Sequence, residues 1–311
     1  MTDQLITLFG GGGFLGRYVA QDLLRAGHRV RVAQRDPRSA LFLKTQGAVG
    51  QTQFVATDLT RADSVARALA GADGVVNLVG ILNGRFDAVQ RQGAENVARA
   101  AAAAGCGALV HISAIGADAR SASAYGRSKG EGEAAVRAAF PAATILRPSI
   151  VFGREDQFIN RFAGLIATAP VVPVLKPDTR FQPVYVGDVA AAAVAALADP
   201  GAYGGKTFEL GGPDVITMGA LVRWINDETG RGRVIVDLPD AAGAAIASLG
   251  FLPGAPITKD QWRMLQADNV VSPQAEGIRA FGIDPTPMSA VAPAYLVQYR
   301  KHGRFAPRVG N

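Results

Sequence analysis

A tyrosine and a lysine stand four positions apart in the stretch Tyr125-Gly126-Arg127-Ser128-Lys129. On a helix, this spacing places both side chains on one face. An ammonium group beside a phenol favours the phenolate and should lower the pKa of the tyrosine. Such a tyrosine can pass a proton to a carbonyl or alcohol oxygen during hydride transfer. We therefore predict Tyr125, Lys129 and the preceding Ser113 as catalytic candidates, the alternative being an exposed helical pair.

Glycines recur at positions 10, 13 and 16, between an apolar run and an amphipathic helical pattern. The first glycine allows a tight strand-to-helix turn, the second lets the backbone approach a pyrophosphate, and the third packs helix against strand. The N–H groups at the start of the helix would then hold the phosphates. This context predicts dinucleotide binding rather than a plain glycine turn. The predicted contacts are Gly10, Gly13, Phe14, Leu15 and Gly16.

The second predicted strand ends at Arg35, about 20 residues after the glycines, where the adenosine ribose is bound in dinucleotide folds. An acidic residue there would bind the 2′-hydroxyl of NAD. A guanidinium group instead pairs with a 2′-phosphate, and Arg38 lies nearby. NADP(H) is therefore preferred over NAD(H), although Asp36 weakens this preference. The alternative is that Arg35 is merely exposed at a strand end.

Other predicted cofactor contacts lie where later strands end. Asp58 follows the third strand and could accept from the adenine amino group or cap the next helix. Gly80 follows the fourth strand and would let the backbone come close to the cofactor. The remaining predicted contacts are Leu59, Val79 and Pro148.

Strands and helices alternate up to about residue 150, which predicts a parallel sheet with right-handed crossovers. The expected fold class is α/β, with a Rossmann-type doubly wound parallel sheet and a smaller C-terminal α/β cap. The expected domains are a dinucleotide-binding domain over 1–150 and a cap or substrate region over 151–311, interleaved with the first. The predicted strands cover 5–9, 28–34, 53–56, 74–78, 108–113 and 144–147, and one long helix covers 86–104.

The regular alternation of strands and helices ends near residue 150, after which prolines cluster and the predicted elements become shorter. We predict strands over 182–186 and 206–210. Helices are expected over 188–197 with Asp188 as N-cap, over 217–229 with Thr217 as N-cap, near Ala241 and Asp260, and over 290–301. Asn160 and Arg161 are the polar residues of this half that we expect nearest to the site.

Composition and charge restrict the kinds of protein that this chain can be. The 311 residues are 49% hydrophobic and carry a net charge of +6, with basic residues scattered rather than arranged as a nucleic-acid groove. The single cysteine, Cys106, fits a reducing cytoplasm and a structural thiol. The three histidines show no metal-binding spacing. No apolar run reaches about 20 residues, and a strand starting at residue 5 leads us to expect no signal or transit peptide.

These residues resemble the extended or atypical short-chain dehydrogenase/reductase superfamily. Within it, the chain is most similar to the NADPH-binding accessory subunit family of respiratory complex I and its bacterial relatives. The glycine stretch carries this resemblance, with Gly12 where many members have Thr or Ser. The other stretches that carry it are 136–141, 150–158 with its Phe-Gly-Arg-Glu-Asp run, Asp260-Gln261 and Asp268-Asn269-Val270-Val271.

The resemblance implies that the glycines, Arg35, Tyr125 and Lys129 contact the dinucleotide. Active extended members have an asparagine that supports a proton relay, and this chain has Gln90 at that position, so turnover is uncertain. The resemblance also implies binding to the peripheral arm of complex I at the cytoplasmic face of the inner membrane. Apolar helices over 241–252 and 262–265 and a basic tail over 300–304 suit peripheral contact with anionic lipid.

Two other functions fit the same residues. One is a free-standing NADP-dependent reductase, or an epimerase or dehydrogenase acting on sugar nucleotides or sterols. The other is an NADP(H)-sensing regulator, which ranks last because such proteins usually lose the tyrosine or the lysine.

Overall fold

The computed structural model describes residues 3–252, 255 and 257–305. Its strands are β1 (Leu5–Phe9), β2 (Arg29–Gln34), β3 (Thr52–Ala56), β4 (Gly74–Asn77), β5 (Ala108–Ile112), β6 (Thr144–Pro148), β7 (Val151–Phe152), β8 (Val171–Leu175), β9 (Arg180–Phe181), β10 (Val184–Tyr185), β11 (Thr207–Leu210), β12 (Ile216–Thr217) and β13 (Val234–Leu238).

The α-helices are α1 (Phe14–Arg25), α2 (Ala62–Leu69), α3 (Gly93–Ala103), α4 (Ala124–Ala139), α5 (Ile159–Thr168), α6 (Val186–Ala198), α7 (Pro200–Tyr203), α8 (Met218–Thr229), α9 (Asp240–Ser248), α10 (Lys259–Met264) and α11 (Met288–Leu296). Turns of 3₁₀-helix cover Pro37–Gln46, Ile278–Phe281, Val297–Tyr299 and Gly303–Phe305, and a π-helical turn covers Asp87–Gln92.

The chain divides into two compact units. The first unit combines 1–148, 186–210 and 272–284 and contains a seven-stranded sheet in the order β11-β6-β5-β4-β1-β2-β3. Every neighbouring pair in this sheet is parallel. The strand order reverses between β1 and β4, the arrangement that binds ligands at the carboxyl ends of the strands in doubly wound folds. The predicted α/β fold class is confirmed.

The core of the first unit lies on both faces of this sheet. All five residues of β1 are buried, as parallel strands covered on both sides require. One face packs against helices α2, α3 and α4, with Phe9, Val75, Leu109 and Leu69 in contact. Fully burying each such side chain stabilises the fold by about 1.5–3 kcal/mol. The buried strands thereby hold their carboxyl ends, and the loops that follow, in fixed positions.

The helix predicted over 86–104 is not one regular α-helix. Residues Asp87–Gln92 form a π-helical turn before α3 begins at Gly93. Gly132 of α4 accommodates the wider turn, because a Cβ atom there would lie 2.3 Å from the carbonyl oxygen of Gln90. Such single π-turns occur often at functional sites.

The second unit combines 149–185, 211–271 and 285–311 within the described ranges. It contains three two-stranded sheets, β10-β7, β12-β9 and β13-β8. Its core brings together helices α5, α8 and α11 through residues such as Ile159, Leu221 and Leu296. Thr217 caps α8 by accepting a hydrogen bond from Ala220 N at 3.2 Å, which confirms the predicted N-cap.

Three predictions beyond residue 150 were wrong in detail. The strand predicted over 182–186 is shorter and covers only Val184–Tyr185, while Gln182 before it bonds through its side chain to Gly212 O and Val271 N. Asp188 lies inside the first turn of α6 rather than at its N-cap. The last predicted helix starts earlier, at Met288, and becomes 3₁₀ after Leu296. Pro253, where the predicted helical segment near Ala241 ends, lies outside the described residues.

Across the part of the chain that the structure describes, none of the helices is both long and apolar enough to cross a membrane.

Candidate functional site

The glycine loop between β1 and α1 has backbone geometry that side chains would disturb. Gly10 has a φ of 80°, in the left-handed region that favours glycine. A Cβ atom on Gly16 would lie 2.5 Å from Gly10 O. Gly13 is the N-cap of α1, and its N–H donates to Gly10 O at 3.0 Å. This loop leaves backbone N–H groups at the start of a helix, which is the arrangement that holds a pyrophosphate.

Gly12 has no room for a side chain. A Cβ atom there would lie 2.6 Å from Gln34 Oε1 and 2.7 Å from Ala40 Cβ. Gln34, the last residue of β2, accepts from Gly12 N at 3.0 Å and donates to Asp36 O at 2.7 Å. Gln34 therefore ties the glycine loop to the end of β2, a role for which the sequence pattern gave no signal.

The end of β2 is exposed and basic. Arg35 and Arg38 are both exposed. The Asp36 carboxylate accepts from Arg38 N at 3.0 Å and caps the 3₁₀ segment that follows. Asp36 is therefore engaged by the backbone of its own turn.

Asp58 follows β3, and its carboxylate is hydrogen-bonded within the turn that comes next. Its Oδ1 accepts from Thr60 N at 2.9 Å and from Thr60 Oγ1 at 2.8 Å. These hydrogen bonds lower the pKa of Asp58, and the positive charges of Arg35 and Arg85 lower it further. Asp58 does not cap α2, whose N-cap is Arg61. The charge interactions place Arg35 and Arg85 near one carboxylate, and the sequence contained no signal for Arg85.

Two other predicted contacts follow β4 and lie against the glycine loop and α4. A Cβ atom on Gly10 would lie 3.2 Å from Val79 Cγ2. A Cβ atom on Gly80 would lie 3.4 Å from Lys129 Nζ. Of the remaining predicted contacts, Leu59 is buried in the core. Pro148 ends β6, and its carbonyl accepts from Ile115 N at 3.1 Å. The structure thus brings Gly10, Val79, Gly80 and Lys129 together.

Tyr125 lies in the first turn of α4, which Ser123 caps by accepting from Gly126 N at 3.2 Å. Its ring packs edge-on against Phe86, with 6.2 Å between the ring centroids. The residue is half-buried, and burial raises the pKa of its phenol to about 12. The expectation that Lys129 lowers this pKa is wrong for this arrangement, because removal of the phenol from water dominates.

Lys129 is buried, with 3% of its surface exposed. Its Nζ donates to Ile112 O at the end of β5, at 3.0 Å. Burial lowers the pKa of Lys129 to about 8, and the Glu133 carboxylate one turn later opposes this shift. Ser113 follows Ile112 and is also buried, and its Oγ has no hydrogen-bond partner among the described residues. Ser113 Oγ can therefore accept or donate a hydrogen bond to a bound group.

Gln90, which the family resemblance matches to the relay asparagine, is buried within the π-helical turn. Its Oε1 accepts from Ile81 N at 3.2 Å, and its Nε2 donates to Ser128 Oγ at 2.7 Å. The amide therefore joins the loop after β4 to helix α4. Both ends of this side chain are hydrogen-bonded to protein atoms.

A buried ion network that no sequence motif predicted lies next along α4. Arg147 on β6 donates two hydrogen bonds to Glu133, at 2.9 and 2.7 Å. It also lies 3.5 Å from Glu209 Oε1 of β11, and Glu209 accepts from Ser272 N at 2.8 Å. This bidentate arrangement fixes α4 against the sheet and so positions Lys129.

The Phe-Gly-Arg-Glu-Asp run has a structural role in the second unit. Asp156 is 1% exposed and accepts from Gly153 N, Phe158 N, Asn160 N and Tyr295 Oη at 3.0–3.2 Å. Asn160 Oδ1 accepts from Tyr299 Oη at 2.9 Å. Asn160 is therefore engaged within its own unit, and Arg161 is exposed. The expectation that these two residues lie nearest to the site stays a prediction.

Comparison with known proteins places this geometry in a family. Residues 6–211 match the family model described as "NAD dependent epimerase/dehydratase family". The chain is 36% identical over 305 residues to the mouse mitochondrial NADH dehydrogenase [ubiquinone] 1 alpha subcomplex subunit 9, covering 95% of this chain and 80% of that protein. It is 31% identical over 307 residues to the mitochondrial NADH-ubiquinone oxidoreductase 40 kDa subunit of Neurospora crassa, covering 96% and 80%.

The chain is also similar to a reductase in sequence and to a solved oxidoreductase structure in fold. A ceramide reductase from Caulobacter vibrioides is 34% identical over 201 residues, which is 63% of this chain and 62% of that protein. The solved structure of the NADPH-dependent quinone oxidoreductase QOR2 from Escherichia coli, complexed with NADPH, matches with a TM-score of 0.75 and 22% identity, covering 94% of this chain and 99% of that one. At this identity, the structural similarity shows the fold alone. The chain belongs to the NAD-dependent epimerase/dehydratase family and, within it, to the family of the complex I alpha subcomplex subunit 9.

Proposed function

We propose that this chain is an NADP(H)-binding accessory subunit docked on the peripheral arm of respiratory complex I. The observation that carries the proposal is its 31–36% identity, along 95–96% of its length, to complex I subunits from mouse and Neurospora crassa. Its location would be the cytoplasmic face of the inner membrane, beside that arm.

The first unit would hold the dinucleotide along the carboxyl ends of its strands. The glycine loop with Phe14 and Leu15 would take the pyrophosphate. Arg35, with Arg85 near it, would pair with the 2′-phosphate of NADP(H). This pairing is supported by the exposure of both arginines and by their position near the same carboxylate, Asp58. Because a guanidinium pairs with a phosphate much more strongly than with a hydroxyl, NADP(H) would bind more tightly than NAD(H).

The nicotinamide half would lie beside Tyr125, Lys129 and Ser113. When bound, the cofactor supplies a hydride donor or acceptor. Tyr125 would hold a proton at its phenol oxygen, and Lys129 Nζ would bind ribose hydroxyls. The Gln90 amide, which is hydrogen-bonded to protein atoms at both ends, supports the expectation that turnover is slow. In this proposal, the nucleotide acts mainly as a structural element.

A free-standing reductase is the second candidate. It is favoured by the similarity to the ceramide reductase and by the presence of Ser113, Tyr125 and Lys129 in one unit. In that case Ser113 Oγ would hold the oxygen of a carbonyl substrate while Tyr125 transferred the proton.

The deciding experiment isolates the tagged protein from membranes solubilised in mild detergent and identifies its partners by mass spectrometry. Recovery of peripheral-arm subunits together with NADP(H) is expected. If the protein stays in the soluble fraction without those subunits, the free-standing reductase is the better description. Nucleotide released by acid and separated by chromatography reports NADP(H) against NAD(H).

A further inference from the structure

Two polar side chains face each other in the middle of the seven-stranded sheet. Asn77 of β4 and His111 of β5 are register partners. Their exposed fractions are 2% and 1%. Asn77 Nδ2 lies 3.2 Å from His111 Nδ1. Neither residue belongs to the predicted catalytic or cofactor-binding set.

The hydrogen bonds of Asn77 determine which ring nitrogen of His111 carries the proton. Asn77 Oδ1 accepts from Val79 N at 3.2 Å, so its NH₂ group is the end that faces His111. An NH₂ group can only donate, so Nδ1 must accept, and a neutral ring then carries its proton on Nε2. Burial and the nearby Lys129 charge lower the pKa of His111 to about 3, which keeps the ring neutral.

The Nε2–H donor that this arrangement creates is buried and has no partner among the described residues. The Ser113 hydroxyl, two residues further along the chain and just past the end of β5, is also buried without a partner among the described residues. Lys129 Nζ carries three protons when charged, and within the described part of the chain it donates to Ile112 O. Polar groups buried without a partner are costly, and internal water is the usual solution where several of them converge.

We propose that one buried water molecule joins His111 Nε2, Lys129 Nζ and Ser113 Oγ, and that Asn77 and His111 are positioning residues for Lys129. Each of the three protein groups then has a hydrogen-bond partner of the opposite kind in the water molecule. The water accepts from the imidazole and the ammonium, and it donates to the serine oxygen. Gln90 makes its described hydrogen bonds elsewhere, accepting from Ile81 N and donating to Ser128 Oγ.

This arrangement connects the loop after β4, which contains Val79, to Lys129. Val79 bonds to Asn77, Asn77 bonds to His111, and the water carries the connection to Lys129. The water site itself does not depend on the proposed function. Its effect on nucleotide binding rests on the proposed placement of the nicotinamide ribose beside Lys129.

The first test measures the proton and the water directly. Nitrogen-15 NMR of the unmutated protein should show His111 neutral and protonated on Nε2 at neutral pH. Asn77→Asp replaces the donor with an acceptor and should move the proton to Nδ1, whereas Asn96→Asp, at an amide bonded to Leu59 O, should not. A high-resolution crystal structure should show the water bonded to all three groups. An Nδ1–H tautomer in the unmutated protein, or a direct bond from His111 Nε2 to Ser113 Oγ, would overturn the proposal.

The second test separates positioning of Lys129 from general damage. His111→Gln keeps an acceptor toward Asn77 and a donor toward the water, whereas His111→Phe removes both. We expect His111→Phe to weaken NADPH binding roughly tenfold and His111→Gln to restore it, with binding of 2′,5′-ADP, which lacks the nicotinamide ribose, unchanged in both. Equal weakening for both ligands would contradict the positioning role. If the unmutated protein binds neither ligand, the proposed function fails while the tautomer and the water remain testable.

Discussion

Gln90 Nε2 donates a 2.7 Å hydrogen bond to Ser128 Oγ, and that hydroxyl donates to the Tyr125 carbonyl at 2.9 Å. Gln90, which the resemblance matches to the relay asparagine, thus stabilises the turn that carries the tyrosine. The longer amide and the π-helical turn belong together, because the widened turn sets Gln90 where both Ile81 and Ser128 are in reach.

Shortening this side chain should loosen the site. Gln90→Asn cannot reach both partners and leaves at least one buried polar group unpaired. We expect a loss of about 1–3 kcal/mol in the free energy of unfolding, measured by denaturant titration. Gln92→Asn, at an exposed position of the same turn, is the matched control. A Gln90→Asn variant as stable as this control would show that the two hydrogen bonds contribute little.

Reversing the charge at Arg35 should change the cofactor preference. We expect Arg35→Asp to weaken NADPH binding by about 1.5–3 kcal/mol, the scale of hydrogen bonds to charged groups, and to affect NADH much less. Isothermal titration calorimetry with both nucleotides measures the difference. Arg120→Asp, at a highly exposed arginine of the same unit, controls for net charge. Equal affinity of the unmutated protein for NADPH and NADH would contradict the role of Arg35.

Removing the Tyr125 hydroxyl should separate chemistry from binding. If the protein reduces a carbonyl substrate, Tyr125→Phe should lower kcat about 10²–10⁴-fold, the usual contribution of a general acid, and leave the NADPH Kd nearly unchanged. Tyr203→Phe, at a half-buried tyrosine of the same unit, serves as the control. Full turnover by Tyr125→Phe would remove this residue from the mechanism.

Stability in acid should depend on His111. Its folded pKa of about 3 lies below the unfolded value of 6.5, so the unfolded chain binds more protons between these values. Stability from this group is therefore present above about pH 6.5 and lost as the pH falls toward 3, by up to about 1.4 kcal/mol per pH unit.

The comparison with a variant that cannot titrate isolates this effect. Relative to His111→Gln, the unmutated protein should lose about 2–3 kcal/mol between about pH 6.5 and pH 4.5. Denaturant titrations at both pH values measure this difference, and His28→Gln provides the control at a half-buried histidine. Parallel pH profiles for the unmutated protein and His111→Gln would show that His111 is not held neutral.

The second unit should depend on Asp156. Asp156→Asn replaces an acceptor of four hydrogen bonds with a group that can accept at only one end. We expect a loss of about 2–3 kcal/mol, detected as faster proteolysis within 149–185 and 285–305. Asp214→Asn, at an exposed carboxylate of the same unit, should have no such effect. Resistance equal to that of the control would mean that the carboxylate is replaceable.

Local chemistry was enough to determine the sheet and the dinucleotide loop. Apolar runs such as Leu5–Phe9 form buried parallel strands wherever helices cover both faces, and Gly10 and Gly16 are required by backbone conformation and by close packing. These constraints act within a few residues or repeat with a fixed period. A single sequence therefore displays them. The order of the seven strands pairs segments that are distant in the chain, and only the tertiary structure decided it.

The tertiary structure decided the pKa values and the hydrogen-bond pairs, because these depend on contacts between residues that are distant in the chain. The pKa of Tyr125 rises because the fold buries the phenol, although the spacing to Lys129 alone suggested the opposite. Asn77 meets His111 across 34 positions, and Asp156 meets Tyr295 across 139. No local pattern encodes such pairs, because hydrogen bonding and desolvation depend on which groups the packed chain brings together and on how much water it excludes around them.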